Sequence, residues 1–179
     1  RGMGPCRMSR CRPSTDRRTG PAPEGPFDGR QAFHALLHAA LDAAAREGWR
    51  QIVFSDPTFA DWPLGERATA TALQAWSSSG RALVMLAGDF GVFEREHARF
   101  VQWRRTWSHI VECHACGGAG APAVPSAIWT PAWFLHRIDT ERGRGVSGRD
   151  PQHRRMLRER IDECLRRSRP AFPASILGL

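Results

Sequence analysis

Apolar residues recur along this chain in short bursts, and their spacing switches between the periods of helix and strand. From residue 28 the pattern is helical. Phe33, Leu36, Leu37, Ala40, Leu41 and Ala44 form one stripe, with Asp28 placed to cap its start and Gly48 to close it. QIVFSD (51–56) follows as a short buried strand ended by Pro57. A second helix is expected from about 63 to 78, with Pro63 in its first turn and Leu73 and Trp76 facing inward. RALVMLAGD (81–89) is an almost continuous apolar run, as in a strand covered on both faces of a parallel sheet. A third helix spans about 93–107, and HIVECHA (109–115) reads as a third strand.

After the loop GGAGAPAVP come two further strands, SAIWT and WFLHRID, around Pro131. A polar glycine loop, TERGRGVSGRD, leads to a last helix over about 151–167, with Leu157, Ile161, Cys164 and Leu165 on one face. The alternation of helix and strand predicts a single α/β domain over 30–168, with a mostly parallel mixed sheet flanked by helices. Residues 1–29 are rich in Arg, Pro, Gly and Ser with few large apolar residues, so they are expected to be disordered. Residues 169–179 are expected to pack on the domain as a tail.

Charge alters this picture at the ends. Net charge is +8, but residues 1–30 hold seven Arg against three acids and residues 140–179 ten Arg against five, leaving the centre about neutral. Basic ends on a neutral body favour peripheral contacts with anions, nucleic acid among them, over a basic groove through the fold. The chain has no Lys, which excludes a P-loop lysine and Schiff-base chemistry. No apolar stretch is long enough to span a bilayer, and a cytoplasmic protein is expected. Five Cys, an odd number, argue for reduced thiols rather than a disulfide framework.

Few constellations carry chemistry. Asp56 and Asp89 each follow a predicted strand, where ligands of open α/β sheets bind, with Asp61 and Glu66 nearby. They could hold Mg²⁺ or divide acid and base roles, or simply cap their own turns. In the third helix Phe93, Phe100, Trp103 and Trp107 share a face, with Glu96 and Arg104 among them and His97 at the edge. Arg104 could bind an anion in a cleft, stack on a ring, or pair with Glu96. His34 and His38 lie one helical turn apart but lack an evident third metal ligand. GRGVSG could offer phosphate the N-terminus of the last helix, or be a plain loop. Cys113-His114-Ala115-Cys116 lacks the second half of a zinc site and ends a strand rather than opening a helix, so a structural role is favoured over zinc or redox chemistry.

QIVFSDPTFADWPLGERA, HARFVQWRRTWSHIVEC, PSAIWTPAWFLHRID and PAFPASILGL resemble a group of uncharacterised conserved beta-proteobacterial proteins, over about residues 28–179. The order of elements is also similar to one half of the phospholipase D-like fold, whose family carries His-x-Lys-x4-Asp followed by Gly-Ser. Aligned on AWFLHRIDTERGRGVS, Asp139 and Gly145 match that motif, while Ala132, Phe134 and Val146 fall in the His, Lys and Ser slots. His136 is not the family's His on this register. The resemblance implies a fold without its nucleophile and phosphate-binding lysine, Asp139 as a retained site residue, and pairing of two copies.

Three functions are therefore expected in turn. The first is a non-catalytic domain binding a phosphate-containing anion or a protein partner, with Asp56, Asp89, His97, Arg104 and Asp139 as candidate ligand contacts and no cofactor or metal. The second is a metal-assisted hydrolase or phosphotransferase using Asp56 and Asp89, with His97 or His109. The third is nucleic-acid binding through the Arg-rich ends.

Overall fold

Runs that are apolar on every position must be covered on both sides, so the strands at 51–56 and 82–87 require helices above and below them. The computed structural model describes residues 20–174 and has that arrangement. Its strands are Gly25–Phe27 (β1), Gln51–Asp56 (β2), Ala82–Ala87 (β3), Val111–Ala115 (β4), Ser126–Trp129 (β5), Phe134–Asp139 (β6), Arg144–Gly148 (β7) and Arg169–Pro170 (β8). Its helices are Arg30–Glu47 (α1), Arg67–Trp76 (α2), Phe93–Glu96 (α3), Ala98–Thr106 (α4) and Pro151–Arg166 (α5).

The strands form one sheet in the order β1-β7-β6-β5-β2-β3-β4-β8. Parallel pairing is confined to β2, β3 and β4, whose connections contain helices. The other neighbours pair antiparallel, so the parallel part is narrower than the sequence suggests. Short turns join β5 to β6 and β6 to β7, and such turns cannot make a crossover.

Side chains alternate across the strands. Ile52, Phe54, Leu83, Met85, Ile128 and Leu135 point to the face packed by α1, α2 and α4. Val53, Leu86, Ala127 and Phe134 point to the other, where Leu157, Ile161 and Cys164 of α5 cover them. Among the described residues no helix is long and apolar enough to cross a membrane.

Several expectations change at the edges. Residues 20–29, part of the stretch expected to be disordered, contain β1, which pairs with β7, and Ala22 is buried. The indole of Trp133 donates to Pro23 O at 3.0 Å, as does the Ser147 hydroxyl. Distant partners thus hold a segment too poor in apolar residues to signal a strand; residues 1–19 lie outside those described. The glycine loop before α5 is in fact β7. The helix expected from 63 begins as a 3₁₀ turn, Pro63–Gly65, and the third helix breaks at His97. The tail runs along β4 as β8, and Phe172 stacks on Phe90 with ring centroids 5.3 Å apart.

Gly145 shows how tightly the antiparallel part is packed. Pairing of β6 with β7 is irregular between Arg137 and Asp139. A Cβ on Gly145 would sit 2.2 Å from His136 O and 2.6 Å from the Phe27 ring. Gly145→Ala should therefore lose about 1–3 kcal/mol of unfolding free energy by chemical denaturation, as overpacking does. A loss near zero would mean that β1 and β6 are not both pressed on this glycine.

Candidate functional site

Asp56 ends β2 and is buried, so its carboxylate must find its partners inside the protein. One oxygen, Oδ1, accepts the backbone N–H groups of Thr58 at 3.0 Å and Phe59 at 2.7 Å. The other, Oδ2, accepts the Ser126 hydroxyl of β5 and lies 3.6 Å from the Arg137 guanidinium of β6. Arg137 is also buried. It donates to Asp61 Oδ2 and to Thr140 O, each at 3.1 Å, and its guanidinium lies 4.5 Å over the Phe33 ring of α1. Above this pair is a cleft of about 220 Å³ that Asp61 and Glu141 also line.

Asp89 does not share that cleft. Its Oδ1 accepts the N–H of Gly91 at 3.1 Å, the turn-capping alternative. Between the two carboxylates the backbone closes up: Gly88 N and Asp89 N both donate to Pro57 O, at 2.9 and 3.1 Å. A Cβ on Gly88 would lie 2.9 Å from Pro57 O, so the strand ends meet backbone to backbone. Among the described residues no group of three or more His, Cys, Asp or Glu side chains could hold a metal ion.

His97 is tied to the same turn from the other side. Its Nε2–H donates to Phe59 O at 2.9 Å, and its buried Nδ1 has no hydrogen-bond partner among the described residues. Phe59 itself has φ 60°, a left-handed conformation that is costly for a bulky side chain. Thus Asp56 and His97 hold the two ends of one strained turn. His109 is exposed and stacks near Trp107.

Arg104 does not pair with Glu96, which is exposed on α3. α4 directs Arg104 under β4, where its Nε donates to Cys113 Sγ at 3.2 Å and its guanidinium lies 5.0 Å from the Phe172 ring centre. Burial pushes the Cys113 thiol up despite the neighbouring Arg104 charge. Cys113 faces the α1–α4 side of the sheet and Cys116 the α5 side, so the two do not converge on one ion. Asp139 lies at the end of β6 and caps its own turn through the N–H of Arg142. His34 and His38 both meet Glu66 at 3.5 Å, and their ring nitrogens also engage Asp61 O and the Thr69 hydroxyl. At the N-terminus of α5 the Asp150 carboxylate caps the helix, accepting from His153 N at 2.7 Å.

Two groups escaped the sequence reading. Arg137 carried a faint signal, being a charged residue in phase with buried Leu135. The second is His136, whose Nδ1 lies 3.1 Å from His153 Nε2 on α5, while the His153 ring stacks on Phe134 at 4.2 Å.

With this geometry in hand, the chain was compared with known proteins. No family model matches it, and no curated protein does. Among solved structures it is similar to TrmBL2, an archaeal chromatin protein that shows a novel mode of DNA binding. The TM-score is 0.58 at 12% identity, over 83% of this chain and 55% of that one. It is also similar to Nuc from Salmonella typhimurium, a phospholipase D family member, with a TM-score of 0.52 at 11% identity over 83% of this chain and 99% of that one. The fold is phospholipase D-like. This chain spans about half the length of the TrmBL2 chain it matches. Ala132 is exposed in the turn before β6, and Phe134 is buried against His153.

The histidine pair gives the site a pH signature. Burial, then the neighbouring His153 and Arg160 charges, lower His136 to about 4. The unfolded chain takes up a proton near 6.5 where the folded chain does not, so stability is lost as pH falls from about 6.5 toward 4. Denaturation midpoints across that window should fall less steeply for His136→Gln than for the wild type. Equal slopes would show that His136 is protonated in the fold.

Proposed function

We propose that this chain is a non-catalytic binding domain on a phospholipase D-like fold, and that it takes a phosphate-bearing polyanion, nucleic acid foremost. The observation that carries the reading is a set of exposed arginines on α5 and on β8, which follows it. Arg155 and Arg160 of α5 and Arg169 just beyond it are exposed and make no ion pair among the described residues. Other arginines of this stretch are already engaged: Arg158 with Asp162, and Arg166 and Arg167 with Glu163. Unpaired guanidiniums on α5 and β8 suit contacts to phosphates, which give affinity without reading sequence.

Three further points support it. Ala132 and Phe134 in the His and Lys slots argue against that family's chemistry. Asp56 and Asp89, each committed to its own turn, argue against the metal-assisted alternative. The archaeal chromatin protein of similar fold binds DNA. The six Arg within residues 1–19, against one acid, would add charge to the same partner. Pairing of two copies belongs to the same reading and would double the number of phosphate contacts.

Binding of a fluorescent duplex oligonucleotide tests the proposal. Affinity should fall linearly on a log–log plot against salt, with a slope of about −3 or steeper. The triple variant Arg155→Gln, Arg160→Gln, Arg169→Gln should bind at least about tenfold more weakly, with a shallower slope. Salt-independent binding, or an unchanged triple variant, would overturn it.

A further inference from the structure

A buried guanidinium cannot shed its charge, because arginine stays protonated in proteins. It must therefore be met by an anion or by a full set of acceptors. Arg137 meets the first through Asp56 and Asp61, with Thr140 O as a further acceptor, and only its Nε is left without a partner among the described residues. Arg104 meets neither. It is 6% exposed, and its one protein hydrogen bond among the described residues goes to the weak acceptor Cys113 Sγ. Among the described residues its Nη1 is buried without a partner, and no carboxylate forms an ion pair with it.

Beside Arg104 lies a cavity of about 390 Å³ between β4 and the tail. Pro170, Ala171 and Pro173 give it an apolar wall, and Cys113 and His114 line the strand side. Glu112 stands at the same cavity with an exposed side chain, 3.6 Å from the ring of His114. One fixed cation, an apolar wall and an acidic residue at the rim select against a dianion, which would be half neutralised and repelled by Glu112. They suit a planar monoanion, whose two oxygens match the paired nitrogens of a guanidinium.

We propose that this cavity binds a small monocarboxylate with an apolar body, its carboxylate on Arg104 and its body against Pro170, Ala171 and Pro173. The cavity wall begins one residue after Arg169, and the site does not depend on polyanion binding along α5. It also accounts for the tail strand, since Ala171 N donates to Cys113 O at 2.9 Å and fixes the wall opposite Arg104.

The test is a thermal-shift and calorimetric titration of the full chain with sodium benzoate, its neutral isostere benzamide, and inorganic phosphate, at constant ionic strength. Benzoate should give a saturable rise in Tm; benzamide and phosphate should give at most one tenth of the apparent affinity. Arg104→Gln should abolish the benzoate response, whereas Arg105→Gln, an exposed neighbour, should retain it. Should Arg104→Gln fail to fold, a crystal of the wild type soaked in 4-bromobenzoate decides: bromine density in the cavity with the carboxylate on Arg104 supports the site, and an empty cavity overturns it. Equal responses to benzoate and benzamide, an equal or stronger response to phosphate, or binding that survives Arg104→Gln would each overturn it as well.

Discussion

A carboxylate buried at the end of a strand must be satisfied by the protein, and at Asp56 that requirement organises the molecule. Its two oxygens hold the Pro57–Phe59 turn, the start of β5 and the middle of β6 at once. Through Pro57 O the same turn takes the backbone after β3, and through Phe59 O it takes His97 between α3 and α4. Arg137, the counter-charge, carries the tie across to Phe33 of α1. Breaking a buried pair by removing one partner costs about 3–5 kcal/mol, because the other charge is stranded. That is far more than a left-handed Phe59 would cost, at about 1–3 kcal/mol, so the turn persists despite its strain.

The same tie accounts for how the strand-end carboxylates are committed within the fold. A metal or substrate needs lone pairs and space. Asp56 spends its lone pairs on two amides, a hydroxyl and a guanidinium, and the space toward Asp89 is taken by Pro57 O. Charge on this protein is thus divided by depth. The interior arginine Arg137 is neutralised by the fold, whereas Arg155 and Arg160 of α5 stay exposed.

How much of this could be read from the sequence follows the range of the interactions. α1, β2, β3 and α5 were legible because apolar spacing is a local property, although Asp28, expected to cap α1, pairs with Arg144 and Gly29 holds the cap position. β1 was not: a Gly-Pro-Phe triplet has no alternation, and its ladder is supplied by β7 from the far end of the chain. β7 was hidden likewise, since a run of Arg, Gly and Ser reads as a loop until its neighbours provide the pairing. At the candidate site, the surroundings of Asp56, Asp89, His97, Arg104 and Asp139 were not legible. Whether Asp56 meets Asp89 or Arg137 depends on strand order, and β5 sits beside β2 only through an antiparallel return that local pattern does not encode. Glu96 was expected beside Arg104 from helical phasing, and the break at His97 defeats that phase.

A double-mutant cycle on Asp56 and Arg137 tests the central claim most directly. Asp56→Asn, Arg137→Gln and the double variant would be measured by chemical denaturation against the wild type. If the pair is the tie described here, each single change costs more than a surface substitution, and the double costs less than their sum by about 1–3 kcal/mol. Losses that simply add, or an Asp56→Asn variant as stable as the wild type, would contradict it.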